Sequence, residues 1–285
     1  MPSVHTPTLM DGAGLAGQIL ADTASAAASL TARAGSAPCL ATVLVGEDPA
    51  SVAYVRMKRR RCAEVGIESR HVPLPADIGT EELVYQLTAL SEDPGVHGIL
   101  LQHPVGPRID ERAAFEAIAP AKDVDGVTMH SFAAMSFGEP GFVSCTPGGI
   151  MRLLDAYEVA LAGKHVVVVG RSAILGKPVG MLLLARDATV TYCHSKTNDL
   201  PSLVARADVL VAAVGRPRFI QGRDVKPGAV VIDAGYNPGP VGDVEFESAA
   251  ERASLITPVP GGVGPMTIAV LLAQTVEAAR QQVGR

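Results

Sequence analysis

Gly170 opens the turn in this chain that is best suited to binding a phosphate group. Four consecutive valines, Val166–Val169, precede it, and such a β-branched run is typical of a strand buried on both faces of a parallel sheet. The turn reads GRSxxxGxP from Gly170 to Pro178, and a helix is predicted over Ile174–Arg186. Unpaired N–H groups and the dipole at a helix N-terminus attract phosphate. We therefore expect a dinucleotide site, and the alternative is an ordinary turn between a strand and a helix.

The end of the next predicted strand, Thr189–Cys193, indicates which dinucleotide is bound. Sites that prefer NAD usually carry an acidic residue about 20 residues after the glycine turn, where it accepts hydrogen bonds from the ribose hydroxyls. Here the strand is followed by His194-Ser195-Lys196, a run without an acid. Ser195 and Lys196, together with Arg171, can instead bind an additional phosphate. This pattern favours NADP.

Three motifs nearer the N-terminus carry side chains suited to catalysis or substrate binding. Tyr54 and Lys58 are four residues apart, so they share one face of a predicted helix. Gln102 ends the apolar strand GILLQ, at the edge where open α/β sheets bind ligands. Asp123 and Asp125 lie in the loop sequence KDVDG. The alternatives are a solvated basic helix end with a packing tyrosine, a plain strand terminus, and acids that only form a turn.

The elements that must position these residues alternate between helix and strand on both sides of a loop-rich segment, residues 120–147. This alternation predicts parallel sheets. Before the segment we predict helices over about Gly12–Ala34, Ala50–Val65, Thr80–Leu90 and Glu111–Ala117, and strands over Leu40–Val45, His71–Leu74 and His97–Gln102. After it we predict further helices over Gly149–Tyr157 and Pro265–Gln281, and further strands over Val209–Ala213, Ala229–Asp233 and Ser254–Ile256.

The composition of the 285 residues narrows the class of protein. A hydrophobic content of 48% without tryptophan suits helices packed on parallel strands. The net charge of −5 argues against a general nucleic-acid partner. Four scattered cysteines without a CxxC pair and seven unclustered histidines predict no metal site and a reducing compartment. With no signal peptide or membrane-spanning run recognised, we expect a cytoplasmic protein without a membrane partner.

Seven motifs, taken in order, resemble those of the bifunctional methylenetetrahydrofolate dehydrogenase/cyclohydrolase family. They are YxxxK, GILLQ, KDVDG, GGIMRLL, GRSxxxGKP, CHSKT and TPVPGGVGPMT. The resemblance covers about Ala41 to Ala279, and KDVDG and TPVPGGVGPMT are its most specific parts. It implies a small-molecule folate substrate: NADP⁺ oxidises 5,10-methylenetetrahydrofolate to the methenyl form, which water converts to 10-formyltetrahydrofolate. It also implies a homodimer formed through the cofactor domain.

The resemblance also implies roles for individual residues. Lys58 matches the catalytic lysine, Gln102 the glutamine that contacts and tunes it, and Tyr54 the tyrosine that stacks against the folate. Asp125 matches the acid that binds the pterin ring. The remaining matches lie in loops: Gly262 and Pro265 near the folate and the nicotinamide, and Gly170, Arg171, Ser172, Gly176, Pro178, His194 and Ser195 at the NADP-binding positions.

The fold expected from these observations is α/β with two domains and a cleft between them. Residues 1–147 are predicted to form an N-terminal parallel α/β catalytic domain that binds folate and is completed by the C-terminal helix, residues 266–285. Residues 148–265 are predicted to form a Rossmann-like NADP-binding domain. In such a cleft, hydride transfer needs mainly positioning of the two reactants. Hydrolysis needs Lys58 with a pKa lowered by burial, by the neighbouring arginines 59–61 or by the cationic substrate.

Two segments depart from the family pattern. Where the family more often has QLPLP, this chain has QHPVG, so His103 enters the rim of the expected substrate site; the alternative is a surface substitution. Residues 130–137 lack the usual Asn-x-Gly-Arg-Leu pattern. Three other functions remain open: a dehydrogenase without cyclohydrolase activity, an NADP-dependent reductase of a non-folate substrate, and a non-enzymatic NADP-sensing module.

Overall fold

A computed structural model describes residues 7–283 of the chain. Residues 1–6, part of the segment considered above for a signal peptide, and residues 284–285 lie outside this range. The strands are β1 (Thr8–Leu9), β2 (Cys39–Val45), β3 (Glu68–Leu74), β4 (Gly98–Gln102), β5 (His165–Val169), β6 (Thr189–Cys193), β7 (Val209–Ala212), β8 (Val230–Asp233) and β9 (Leu255–Ile256). The helices are α1 (Gly12–Ala34), α2 (Pro49–Glu64), α3 (Thr80–Glu92), α4 (Glu111–Glu116), α5 (Met129–Phe137), α6 (Cys145–Ala156), α7 (Gly176–Leu184), α8 (Leu200–Val204), α9 (Phe246–Ala250) and α10 (Val263–Val283).

The chain divides into two compact α/β units, each built on one parallel sheet, as the sequence predicts. The three-stranded unit comprises Gly17–Cys145 and residues 268–283. The six-stranded unit comprises residues 7–16 and Thr146–Thr267. Among the described residues, no helix has both the length and the apolar composition that a bilayer span requires.

The sheet of the three-stranded unit has the order β3-β2-β4, with both outer strands parallel to β2. The central strand, CLATVLV, is apolar over nearly its whole length and almost entirely buried, as expected for a strand covered on both faces. One face packs against α1, α2 and the C-terminal helix α10 in a core that includes Leu30, Leu40, Cys62, Leu100, Leu271 and Val276. The last part of α10 therefore completes this unit.

The sheet of the six-stranded unit has the order β1-β9-β8-β7-β5-β6, with every neighbouring pair parallel. Strand β5 is the first long strand of the unit. Strand β6 lies on one side of it, and β7, β8 and β9 follow on the other side. The order of the strands therefore reverses between β5 and β7. In open α/β sheets, ligands bind at such a switch point, beyond the carboxyl ends of the strands.

The expected domain boundaries are wrong for the N-terminal segment. Residues 7–16 belong to the six-stranded unit because β1 pairs with β9 at the edge of that sheet. The Thr8 N–H donates to the Ser254 carbonyl oxygen at 2.9 Å, and the Met10 N–H donates to the Ile256 carbonyl oxygen at 2.9 Å. These bonds join residues that are far apart in the sequence, so no local pattern indicates them.

The segment 120–147 contains more regular structure than predicted. A 3₁₀ turn, Pro120–Lys122, is followed by helix α5 and by the start of α6 at Cys145. The side chain of Thr128 accepts a hydrogen bond from the Ser131 N–H at the start of α5, and Gly138 ends the helix in the left-handed conformation, with φ of 72°. A capping threonine followed by a terminating glycine is a recognisable helix signal, so this helix was predictable.

Two buried carboxylates organise the loops that follow β7 and β8. Asp243 is fully buried and accepts hydrogen bonds from the backbone N–H groups of Val214, Gly215 and Arg216 and from Asn237 Nδ2. Asp233 ends β8 and accepts three N–H bonds, from Gly235, Asp243 and Val244, each at 2.9 Å. Burial raises the pKa of Asp233 to about 6, and the charge of Asp243 adds to this effect.

The raised pKa of Asp233 makes its contribution to stability depend on pH. Between about pH 4 and pH 6 this carboxyl is protonated in the folded protein but ionised in the unfolded chain, so its contribution falls as the pH rises. The shift from 3.8 to about 6 corresponds to about 3 kcal/mol. We expect the difference in the free energy of unfolding between the wild type and Asp233→Asn, measured by urea titration, to change with pH. Between pH 4 and pH 7 the wild type should lose up to about 3 kcal/mol relative to the variant.

Asp208 supplies a control of opposite sign for this prediction. Its carboxylate binds Lys226 Nζ at 2.5 Å, and this hydrogen bond lowers the pKa of Asp208. The wild type relative to Asp208→Asn should therefore gain stability as the pH rises through the acid range. A difference between wild type and Asp233→Asn that rises with pH, or stays flat, would contradict the account of Asp233.

Candidate active site and cofactor site

Helix α2 places the candidate lysine on its inner face. The helix begins after Asp48, whose carboxylate accepts from the Ser51 N–H at 2.8 Å, and Pro49 takes the first helical position, where its missing N–H costs nothing. From this start, Lys58 points inward and only 8% of its surface is exposed. Its side chain is therefore one of the few buried cationic groups in the described part of the chain.

The structure brings Lys58, Gln102 and Tyr54 together, as the sequence predicts. Lys58 Nζ donates to Gln102 Oε1 at 3.0 Å and lies 5.6 Å from the centroid of the Tyr54 ring. Gln102 stands at the carboxyl end of β4, and its Nε2 donates to the carbonyl oxygen of His103 at 2.9 Å. This second bond fixes the orientation of the amide, so that its oxygen faces the lysine.

Lys58 and Asp125 influence each other's ionisation. Burial lowers the pKa of Lys58, and the charge of Asp125 acts against that shift. Burial likewise raises the pKa of Asp125, and the charge of Lys58 acts against it. Among the causes considered from the sequence, burial is the one that the structure identifies, since Arg59, Arg60 and Arg61 do not contribute. A lysine whose pKa is lowered towards neutrality is better suited to transferring protons.

The KDVDG motif divides its polar side chains between two tasks. Lys122 Nζ donates to the carbonyl oxygens of Leu90 and Asp93, so it caps the C-terminus of α3. Asp123 is fully buried and accepts hydrogen bonds from the N–H groups of Val127 and Thr128 and from the Ser131 hydroxyl. Asp123 is thus a turn former. Asp125 is the acid of the motif that acts on Lys58.

Two neighbours of Asp125 complete this site. The ring of His103 packs edge-on against Phe115, with centroids 6.5 Å apart, and a positive charge on it lowers the pKa of Asp125. His103 is partly buried, and a part for it at the rim of the substrate site stays a prediction. Cys145 is buried; its N–H donates to the carbonyl oxygen of Asp125 at 3.3 Å, and its thiol donates to the carbonyl oxygen of Val124 at 3.2 Å. Cys145 was missed because nothing in its local sequence links it to a residue 20 positions earlier.

The glycine turn after β5 packs so tightly against neighbouring backbone that two of its positions have no space for a side chain. Gly170 has φ of 129°, and a Cβ there would lie 2.2 Å from the carbonyl oxygen of Ala213, which follows β7. A Cβ on Gly176 would lie 2.5 Å from the carbonyl oxygen of Gly170. Ser172 Oγ accepts from the Gly176 N–H at 3.2 Å. These observations fit a nucleotide-binding turn at the switch point of the sheet.

Helix α7 begins at Gly176, two residues later than predicted, so residues 171–175 remain a loop. Arg171 and Ser172 are exposed in that loop, whereas Gly176 and Pro178 are buried in the first turn of the helix. The difference arises because Gly170 and Gly176 approach so closely that the chain between them cannot be helical. The exposed part of the turn is therefore longer than the sequence suggested.

The turn after β6 lies next to the glycine turn. The Gly170 N–H donates to the carbonyl oxygen of Cys193 at 2.9 Å, which joins the ends of β5 and β6. The His194 N–H donates to Thr197 Oγ1, and the Lys196 N–H donates to His194 Nδ1. His194 is thus used to shape the turn, while Ser195 and Lys196 are exposed at its tip.

Gly262 and Pro265 lie at the start of α10. The helix was predicted to begin at Pro265, but it begins at Val263, so Pro265 is its third residue. The Gly262 N–H donates to the carbonyl oxygen of Pro258 at 2.9 Å, and a Cβ on Gly262 would lie 2.6 Å from that oxygen. Both residues belong to the six-stranded unit, whereas Lys58, Gln102 and Asp125 belong to the three-stranded unit.

The coupling between Lys58 and Asp125 yields a prediction for the protein without ligands. Asp125→Asn removes the charge that opposes the effect of burial, so the pKa of Lys58 should fall further. We expect the rate at which an acylating reagent labels Lys58, followed by mass spectrometry, to rise with pH through a lower midpoint than in the wild type. Exposed Lys164 in the same digest monitors the reagent. An unchanged or higher midpoint for Lys58 would show that Asp125 does not stabilise its ammonium form.

Comparison with known proteins identifies the family. The tetrahydrofolate dehydrogenase/cyclohydrolase catalytic domain matches residues 10–125, and the NAD(P)-binding domain of that family matches residues 144–283. Bifunctional protein FolD 1 of Streptomyces avermitilis is 74% identical over 100% of this chain and 99% of its own. The bifunctional enzyme FolD of Campylobacter jejuni superposes with a TM-score of 0.94 at 42% identity, covering 96% of this chain and 99% of its own. FolD of Trypanosoma brucei, solved with NADP and an inhibitor, superposes with a TM-score of 0.95 at 37% identity, covering 99% and 100%. This chain therefore belongs to the tetrahydrofolate dehydrogenase/cyclohydrolase family.

Proposed function

We propose that this protein oxidises 5,10-methylenetetrahydrofolate with NADP⁺ and hydrolyses the methenyl product to 10-formyltetrahydrofolate. This chain is a member of the family, and the observation that carries the proposal is the buried amine of Lys58. That amine is hydrogen-bonded to Gln102, and the charge of Asp125 acts against the effect of burial on its pKa. An amine in that setting suits proton transfer during hydrolysis. The relatives at 74% and 67% identity both bear the name of a bifunctional protein, which supports two activities in one chain.

In the oxidation, the residues of the three-stranded unit position the substrate. Tyr54 is 38% exposed and offers a ring face on which the folate stacks. Asp125 binds the pterin ring through its carboxylate. A lone pair on a folate nitrogen stabilises the cation left on the methylene carbon, so this step needs no strong base. NADP⁺, when bound, supplies the hydride acceptor.

In the hydrolysis, Lys58 handles the proton. Water attacks the cationic methenyl carbon, and Lys58 in its neutral form accepts the proton that the water loses. The hydroxyl group of the resulting intermediate then loses its proton while N5 gains one and the bond from the carbon to N5 breaks. This leaves the formyl group on N10 and releases one proton overall. Gln102 Oε1 accepts a hydrogen bond from Lys58 Nζ, so it holds the amine in one orientation throughout. Burial lowers the pKa of Lys58 and so increases the share of the neutral amine.

The preference for NADP is part of the same proposal. Gly170, Gly176 and Pro178 form the compact turn that holds the pyrophosphate. Arg171, Ser172, Ser195 and Lys196 are exposed around that turn and have donors suited to the additional phosphate. The Trypanosoma brucei relative was solved with NADP, which supports this assignment.

Two further expectations stay predictions. The first is a homodimer formed through the six-stranded unit; β6 stands at one edge of that sheet, and an edge strand can pair with a second chain. The second is a cytoplasmic location.

Replacing Lys58 tests the two-step reaction. In steady-state assays with methylenetetrahydrofolate and NADP⁺, we expect the wild type to reduce the cofactor and to consume the methenyl form. Lys58→Met keeps the length of the side chain but removes the amine, so hydrolysis should fall by about 10²-fold or more. Lys164→Met, at an exposed lysine, should retain both rates.

Each possible result of this assay has one meaning. Full cyclohydrolase turnover by Lys58→Met would refute the role of the lysine. Oxidation by the wild type without decay of the methenyl absorbance would leave a dehydrogenase alone. Lack of turnover with every reduced folate would overturn the proposed function.

Replacing Arg171 tests the cofactor preference. An arginine bound to a phosphate makes a charge-assisted hydrogen bond, and its loss from a 2′-phosphate site costs about tenfold or more in affinity. We expect Arg171→Ala to raise the KM for NADP⁺ by that factor and to leave the KM for NAD⁺ unchanged. Lys164→Ala, which removes an exposed cation from before the amino end of β5, should change neither value. An equal rise for both cofactors would place Arg171 away from the 2′-phosphate.

A further inference from the structure

Gln274 lies on the C-terminal helix α10, and its side-chain amide forms hydrogen bonds to backbone groups of two other segments. Its side chain is buried, with 9% of the residue exposed. Nε2 donates to the carbonyl oxygens of Val124 at 2.8 Å and Val143 at 3.0 Å, and Oε1 accepts from the Val143 N–H at 3.1 Å. Gln274 therefore ties two segments that are separate in the sequence, one ending just before Asp125 and the other just before Cys145.

These two segments also hold each other. The Cys145 N–H donates to the carbonyl oxygen of Asp125 at 3.3 Å, and the Cys145 thiol donates to the carbonyl oxygen of Val124 at 3.2 Å. Gln274 Nε2 lies 3.6 Å from Cys145 Sγ. Val124 precedes Asp125 directly in the chain, and Cys145 binds the carbonyl oxygen of Asp125, so Gln274 is linked to the backbone of the acid by two short routes.

Gly126 packs closely against the segment that contains Ser144. Gly126 has φ of 66°, and a Cβ there would lie 2.4 Å from the backbone nitrogen of Ser144. The Ser144 hydroxyl donates to the Gly126 carbonyl oxygen at 2.7 Å. A shift of the segment 143–145 would therefore move the backbone on the C-terminal side of Asp125 as well as the Cys145 N–H that binds the carbonyl oxygen of the acid.

We propose that Gln274 is a positioning residue for Asp125. By fixing the backbone at Val124 and Val143, it holds Asp125 in place and so sets the affinity for the folate ring. The inference rests on the proposed function, in which Asp125 binds the pterin. It assigns a role in substrate binding to a helix that lies about 150 residues after the acid in the chain.

Gln282 provides a matched control on the same helix. It is also a partly buried glutamine, and its Nε2 donates to the carbonyl oxygens of His97 at 2.9 Å and Ala121 at 3.1 Å. Neither acceptor adjoins Asp125 in the sequence. Replacing Gln282 therefore removes a comparable attachment of α10 to the three-stranded unit without loosening the segments at positions 124 and 143.

The test compares Gln274→Met with Gln282→Met, because methionine has a similar length but lacks the amide. We expect Gln274→Met to raise the KM for methylenetetrahydrofolate about tenfold, with a smaller change in kcat and an unchanged KM for NADP⁺. Gln282→Met should keep the wild-type KM for the folate. Equal effects of the two variants would overturn the inference and leave Gln274 as a structural attachment.

A double-mutant cycle with Asp125→Asn separates positioning from general loosening. If Gln274 acts through the acid, Gln274→Met should raise the folate KM much less in the Asp125→Asn protein than in the wild type. Additive effects would overturn the inference. If Gln274→Met does not fold, Gln274→Asn takes its place: it keeps the amide one methylene short and should raise the same KM by a smaller factor. A wild type without folate turnover would instead refute the proposed function, so the two failures are distinguishable.

Discussion

The buried amine of Lys58 is the constraint on which the arrangement of the three-stranded unit depends. A cationic group removed from water is costly unless hydrogen bonds and an opposing charge compensate for the lost hydration. Here three separate elements contribute: α2 carries the lysine, β4 brings Gln102 to it, and the loop after the 3₁₀ turn brings Asp125. The parallel sheet makes this possible because it gathers the ends of β2, β3 and β4 at one edge. Hydrogen bonds and the charge of Asp125 compensate only in part for the lost hydration of Lys58, so its pKa stays lowered. The chemistry proposed for the lysine depends on this lowered pKa.

In the six-stranded unit, buried carboxylates accept hydrogen bonds from backbone N–H groups of the loops. Loops at the carboxyl edge of a parallel sheet leave N–H groups without partners in regular structure. Asp243 collects three of these groups after β7, and Asp233 collects three more after β8. Burial of the two carboxylates close together raises the pKa of Asp233, so the rigidity of these loops is obtained at some cost in stability. A rigid edge beside the Gly170 turn suits a site that must hold a large dinucleotide in one position.

Hydrophobic periodicity predicted most of the elements because most of them bury one continuous apolar face. The helix over Gly12–Ala34 and the strand over Thr189–Cys193 have the bounds expected from the sequence. Strand β1 was missed because its two residues are held by bonds to Ser254 and Ile256, which no local pattern reveals. The late start of α7 has another cause: Gly170 and Gly176 approach so closely that the chain between them cannot be helical. In these places the tertiary structure overrides the local preference.

The candidate site shows the same limit at the level of single side chains. Spacing alone placed Tyr54 and Lys58 on one helical face, and strand position placed Gln102 at the edge of the sheet. Spacing alone did not distinguish Asp123 from Asp125 in KDVDG; the family resemblance singled out Asp125, and the hydrogen bonds show what the other polar residues do. Lys122 and Asp123 are occupied by hydrogen bonds to backbone groups and stabilise the turn, whereas the charge of Asp125 acts on the pKa of Lys58. Cys145 and Gln274 carry no sequence signal because their partners lie 20 and 150 residues away. A motif therefore identifies a loop of interest, whereas the role of each side chain in it follows from the partners that the side chain already has.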